Sequence, residues 1–235
     1  MSDLKVRRAE KKARTRELIR TVAQRRFAES GFDAVTVADI ARECDVAVQT
    51  VFNHFATKEE LFFDGRAEWV DSAAEAVRDR APGVAPLTAL REHLMTTVTW
   101  YLDALHDPEI REGLVTLEAS PALCAYEREL HHESVRRLGE ALAEVTESDT
   151  APVVSRMTSS LIAVVWMGAM RALLIEQRGM LMECGSAELH ATVGRLAARV
   201  LEQFEENLDL HPAAEVTPLA AAIVTGWPAE VRRAG

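Results

Sequence analysis

Apolar residues return every three or four positions along almost the whole chain and nowhere alternate in twos. That is the pattern of helices packed on one face, not of half-buried strands. Leu18, Ile19, Val22, Ala23 and Phe27 put a stripe on a first helix, from about Leu4 to Ser30. Before Arg14 there is no stripe, so that part has nothing to pack with and is expected to be a basic extension, frayed in solution. Val37, Ile40, Ala41 and Cys44 mark a short second helix capped by Thr36, with Asp39 in the place of a capping-box partner. Asp45 falls where the chain must turn sharply, a position suited to left-handed backbone. Val46, Val51, Phe52 and Phe55 supply the apolar face of the next segment, with a third helix at about Val48 to His54. Thr57-Lys58-Glu59-Glu60 is a second capping box, opening a fourth helix to about Arg80 with Phe62, Trp69, Ala73 and Ala76 on one face.

Pro82-Gly83-Val84-Ala85-Pro86 ends that helix, and the punctuation afterwards is regular. Leu87, Leu90, Leu94, Val98, Tyr101, Leu102 and Leu105 mark a fifth helix. Asp107-Pro108 and Ser120-Pro121 each give a capping residue followed by Pro, opening helices to about Ala119 and Glu147. An eighth helix is expected from about Pro152 to Gln177, stopped by Gly179, and a ninth is capped by Ser186 and carries Leu189, Val193, Leu196, Val200 and Phe204. Thr217 to Thr225 offers one or two further turns. The run from Leu161 to Met170, continuing past Arg171 to Ile175, is too short to span a bilayer comfortably and contains an Arg, which suits a helix buried all round. The expected fold is all-α, with about nine to ten helices.

Residues 36–61 thus read as a helix-turn-helix whose second helix would lie in a DNA major groove. Here the chain resembles the TetR family of one-component regulators. The resemblance is carried by the stop Gly31-Phe32, by Thr36-Val37-Ala38-Asp39-Ile40-Ala41, by Val46 through Phe55, and by Lys58-Glu59-Glu60-Leu61. It covers about Arg14 to Leu61; the remainder is similar to the family only in being helical and of the expected length. It implies a helix-turn-helix domain over 1–56, an effector-binding and dimerisation domain over 57–210 entered by the helix 57–80, and a tail over 211–235. Val48, Gln49 and Asn53 would then face base edges, since Gln and Asn pair bidentately with adenine and Val meets a thymine methyl. Thr50, His54 and Lys58 would meet phosphates. Three departures stand out: Ala47 replaces the usual Ser/Thr cap, Phe52 replaces a frequent Tyr, and Ala38 cannot read a base.

The resemblance also implies a small-molecule effector held in the second domain. A largely apolar pocket is expected there from Trp69, His93, Thr97, Trp100, Tyr101, Tyr126, Trp166 and Met170, with no cofactor and no metal. The apolar surface of the eighth helix exceeds what one chain's core can use. A two-fold dimer is therefore expected across Leu161, Val164, Val165, Gly168, Leu196 and Val200, presenting two reading heads to a palindromic operator.

Charge changes the picture. The chain of 235 residues has a net charge of −10, but residues 1–26 carry +7, residues 27–70 carry −6 and the remainder −11. Positive charge gathers where phosphate contact is expected. Cys44, Cys124 and Cys184 are odd in number and form no Cys-x-x-Cys, which suits a reducing cytoplasm and no membrane. His131 and His132 are adjacent and so about 100° apart on a helix, unlike an i, i+4 metal pair, and no catalytic motif is present. An enzyme is not expected. Two functions remain open: a regulator, most simply a repressor released by its effector, and a helical ligand-binding or interaction protein whose helix-turn-helix no longer binds DNA.

Overall fold

Ile19, Ala23 and Phe27 stand at four-residue intervals on α1 (Ser2–Ser30), and their enclosed side chains anchor the N-terminal core. The computed structural model describes residues 2–65, 67–146, 152–184 and 187–207; among these there are eleven α-helices, one π-helical turn and no strand. Leu18, from the same predicted stripe, is 47% exposed, because it lies about 100° off the row that Ile19 leads. The basic extension is helical from Ser2 rather than frayed. Its Ala, Glu, Lys and Arg residues are strong helix formers, and Thr15 bonds back to the Lys11 carbonyl. Gly31 closes the helix with φ +77°, its N–H reaching the Phe27 carbonyl at 2.9 Å. Phe32 then folds back onto Phe27 and Phe62, with ring centroids 5.1 and 5.8 Å away.

α2 (Val37–Glu43) has the expected capping box. The Asp39 N–H donates to the Thr36 hydroxyl at 3.1 Å, and the Thr36 N–H to the Asp39 carboxylate at 3.2 Å. Asp45 adopts φ +53°, and α3 (Val48–Phe52) leaves at once from an Ala47 that makes no side-chain cap bond. α4 (Lys58–Phe63) is capped by Thr57.

The helix expected from Thr57 to about Arg80 is in fact two. α4 ends at Phe63, Gly65 takes φ +73°, and α5 (Trp69–Arg78) begins afresh. The break is made by α1: Arg16 pairs with the Asp64 carboxylate at 2.5 Å and Gln24 donates to the Asp64 carbonyl at 3.2 Å. These contacts are tertiary, so local periodicity runs straight through them.

The body contains α5, α6 (Pro86–Ala104), α8 (Pro121–Thr146), α9 (Pro152–Met170), α10 (Arg178–Cys184) and α11 (Ala187–Asn207). α8 lies along α9 and α5, and α6 along α11. Leu90, Val98, Leu138, Leu142, Trp166, Leu181 and Leu201 fill the centre. Two corrections apply to α9. It does not continue to Gln177 and stop at Gly179: it widens into a π-helical turn at Arg171–Ile175, and Gly179 sits inside α10. Nor is it buried all round, because Met157, Leu161, Val164 and Val165 face outward. The segment Ser155–Ile175 is, by length and composition, sufficient to cross a membrane, contrary to the expectation. A core helix with apolar residues on both faces meets the same criterion, and Ile162, Ala163 and Trp166 are packed in the core.

α7 (Pro108–Ala119) and the start of α8 contribute to the head's core, although Leu114 of α7 also packs against the body. Leu117 and Leu123 are buried with Phe27, Phe55 and Phe62, and Tyr126 packs against the same cluster. The Ser186 cap, the polar cluster 147–150, the turn at 217–225 and the tail 211–235 lie outside the described residues.

Candidate DNA interface and effector site

α3 is seated by Val51, and Phe55 just beyond it is buried in the same core. With that side fixed, Val48, Gln49, Phe52 and Asn53 are exposed, and Thr50 and His54 are half-buried. Gln49 Nε2 donates to Asn53 Oδ1 one turn along at 3.2 Å, so the two amides lie side by side on the outer surface.

His54 is held at the end of α3 by Arg16, whose Nη1 donates to the His54 carbonyl while the guanidinium lies 4.1 Å above the Phe55 ring. Burial lowers the His54 pKa below its ordinary value, and the charges of Lys12 and Arg16 lower it further. Both effects favour the neutral imidazole. Its Nδ1 is buried without a partner, which leaves Nε2 as the atom able to donate outward. Lys58 turns inward: its ammonium donates to the Phe32 and Val35 carbonyls at 3.0 and 3.1 Å and lies 4.0 Å from the Phe32 ring centroid. Two of its three donors thus close the loop between α1 and α2.

The body residues expected to form one pocket are dispersed. Trp166, Met170 and Tyr101 meet in the central cluster, where Trp166 packs against Phe204 at 6.1 Å between ring centroids. His93 Nε2 meets Ser72 Oγ at 3.0 Å, with the Thr97 hydroxyl one turn along, and Trp69 is half-buried at the start of α5. Burial lowers the His93 pKa, against a smaller opposing effect of Glu75. Trp100 does not join them: it is 63% exposed, because it stands 100° from Tyr101 on α6. Tyr126 faces the head, stacked on Phe63 at 5.4 Å. A cleft of about 260 Å³ does exist, but it lies between α1 and α7, bordered by Gln24, Arg25, Phe27, Glu109, Glu112 and Thr116.

Sequence reasoning missed three residues. Arg16 continues the Ile19–Ala23–Phe27 row, and a cation on an apolar row was the available signal. Glu127 likewise falls four residues after buried Leu123 on α8. Arg178, which pairs with Glu127, lies on a helix too short to show a pattern. Among the described residues no cluster of three His, Cys, Asp or Glu side chains could hold a metal ion.

Residues 19–64 match the family model described as bacterial regulatory proteins, tetR family. The matched segment holds α2, α3 and α4 and most of the core that seats them. That segment is similar to the DNA-binding region of tetR-family regulators. No curated protein matches the chain. Solved structures are similar over most of its length. A SmeT–triclosan complex aligns with a TM-score of 0.52 at 15% identity, covering 82% of this chain and 90% of that one. A TetR-family regulator from Streptomyces coelicolor aligns at 0.49 and 22% identity, covering 81% and 96%. A TetR-family protein described as a regulator from Mesorhizobium loti aligns at 0.49 and 19%, covering 83% and 97%. The first of these supports the same all-helical fold for the head and body together.

Proposed function

We propose that this protein is a homodimeric, sequence-specific DNA-binding repressor released by a small, largely apolar effector. The observation that carries the DNA part is the outward row of α3: Val48, Gln49 and Asn53 stand exposed on a helix whose other side is locked by Val51. An exposed Gln or Asn on a helix in the major groove can pair bidentately with adenine, and Val can meet a thymine methyl. α1 adds positive charge, with Lys12 near enough to His54 to affect its titration. Thr50, His54 through Nε2, and the remaining donor of Lys58 are assigned to phosphates.

The dimer is assigned to α9 and α11. Leu161, Val164, Val165 and Leu196 are exposed, Val200 is half-exposed, and nothing lies within 4 Å of where a side chain at Gly168 would begin. An apolar stripe of this kind is unfavourable in water and is suited to a second copy related by a two-fold axis. The reading head extends past the expected boundary at 56, because Leu61, Phe62 and Phe63 of α4 lie in its core. The effector and dimer role expected over 57–210 is assigned to the body, and a neighbour solved with triclosan supports that effector role.

A gel-shift titration with DNA from upstream of the protein's own gene, at stated salt, tests the whole. The expected result is a sequence-dependent complex of two chains per site. Equal affinity for that DNA and for random duplex would replace the regulator with the second function, a helical binding protein with an inactive reading head.

A further inference from the structure

Arg178 is 2% exposed; its Nη2 donates to Glu127 at 2.5 Å and its Nε to the Tyr101 hydroxyl at 3.2 Å. A buried ion pair is a weak source of stability, because both ions lose their hydration and apolar residues of the same size often serve as well. Its presence in an apolar bundle points to some other use. Other elements of the same body hold polar atoms with nothing to bond. Trp166 Nε1 on α9, Arg171 Nη1 in the π-helical turn and Ser134 Oγ on α8 are all buried without a partner. The first two can only donate and the third can do so; His190 Nε2 on α11 is likewise unpartnered and can take either role, so an acceptor is the one partner that would suit all four. The backbone between Trp166 and Arg178 includes the π-helical turn, a local widening that recurs at functional sites. On the other side, Glu127 directly follows Tyr126, which stacks on Phe63 of the head. One turn of α8 therefore touches both the buried guanidinium and the reading unit.

We propose that the effector is an organic acid whose carboxylate takes the place of Glu127 on Arg178 and Tyr101, and that the displaced turn of α8 moves the head through Tyr126 and Phe63. This rests on the assignment of the body as an effector domain. An amine could bind only by claiming Glu127, which would strand Arg178 and add donors where donors are already in surplus. A carboxylate replaces one acceptor by another, and leaves Glu127 free to turn outward with its helix.

The test uses the full chain, with octanoate, phenylacetate and indole-3-acetate, each beside the amine and the alcohol of matching skeleton. Calorimetry reads binding and operator release is read by gel shift. At least one acid is expected to bind and release DNA, with its amine and alcohol at least about tenfold weaker, as loss of a charge-assisted pair requires. Glu127→Gln removes the competing charge at nearly constant size and should bind that acid about tenfold more tightly. Arg178→Gln should abolish binding, and Tyr101→Phe should weaken it several-fold even if the Arg178 variant does not fold. Tyr126→Ala should bind the acid but release DNA poorly. A preference for amines or alcohols would overturn the acid while sparing the effector domain. Acid affinity unchanged or lower in Glu127→Gln would reduce the pair to a structural one and overturn the proposal. No response to any compound would overturn this proposal and leave the effector assignment on its own grounds.

Discussion

Ser120, between α7 and α8, donates its hydroxyl to the Asp33 carboxylate in the loop after α1, at 2.8 Å. Ser120 is buried, and the bond runs to a charged acceptor across 87 residues of sequence. Ser120→Ala should therefore cost about 1.5–3 kcal/mol, the range for hydrogen bonds to charged groups. Urea midpoints of the two proteins check this, and unchanged midpoints would mean the bond does not form in solution.

Lys58→Met keeps the stem over Phe32 and removes the donors to the Phe32 and Val35 carbonyls. It should lower stability by about 1–3 kcal/mol and weaken binding to all DNA sequences alike. If affinity per folded dimer stays the same while stability falls, the phosphate role belongs to another residue.

Deleting residues 1–12 removes Lys5, Arg7, Arg8, Lys11 and Lys12. The slope of log affinity against log salt should become shallower by about 0.9 for each phosphate that α1 then leaves unneutralised. In the same variant the His54 pKa should rise, because Lys12 is one of the charges holding it down. An NMR titration of the free protein reads this without DNA; an unmoved His54 would place the arm away from α3.

Acid should destabilise the fold in two stages. His54, His93 and His131 all titrate below the ordinary value of 6.5, chiefly because they are buried. As pH falls through 6.5 the unfolded chain takes up these protons first, so stability drops until the folded histidines also titrate. Glu133, held down to about 2 by Arg136 and Arg137, acts later: its contribution is present above 4.5 and is lost as pH falls toward 2. Urea midpoints at pH 7.5, 5.5 and 3.5 should fall twice. A flat interval between 7.5 and 5.5 would mean that the imidazoles are solvated.

Val164 is 54% exposed on α9, so Val164→Arg should fold normally. It should sediment as a monomer and lose operator affinity, since two heads are needed about one helical turn of DNA (~34–36 Å) apart. An intact dimer would move the interface elsewhere.

What could be read in the sequence was local. The Thr36–Asp39 box, the left-handed Asp45 and the Asp107-Pro108 helix start each involve residues within four positions of one another, and each is present as expected. What could not be read depends on distant partners. Asp64 breaks a helix because Arg16 and Gln24 hold it, from 48 and 40 residues away. The Arg178–Glu127 pair spans 51 residues. Trp100 was expected to share a pocket with Tyr101, although neighbours on a helix point apart. The same geometry put Tyr126 with the head and Glu127 with the body.

The break at Gly65 changes the mechanics of the molecule. A single helix from Thr57 to Arg80 would have been a stiff rod, and a sideways push at Trp69 would have bent or tilted its far end at Lys58. Two short rods meeting at a joint carry push and pull along their length but little bending moment across it. The joint is also pinned from the side, by Arg16 on Asp64. Torque from the body is better carried by α8, whose 26 residues run unbroken for about 39 Å at 1.5 Å per residue, with one end already embedded among the phenylalanines of the head.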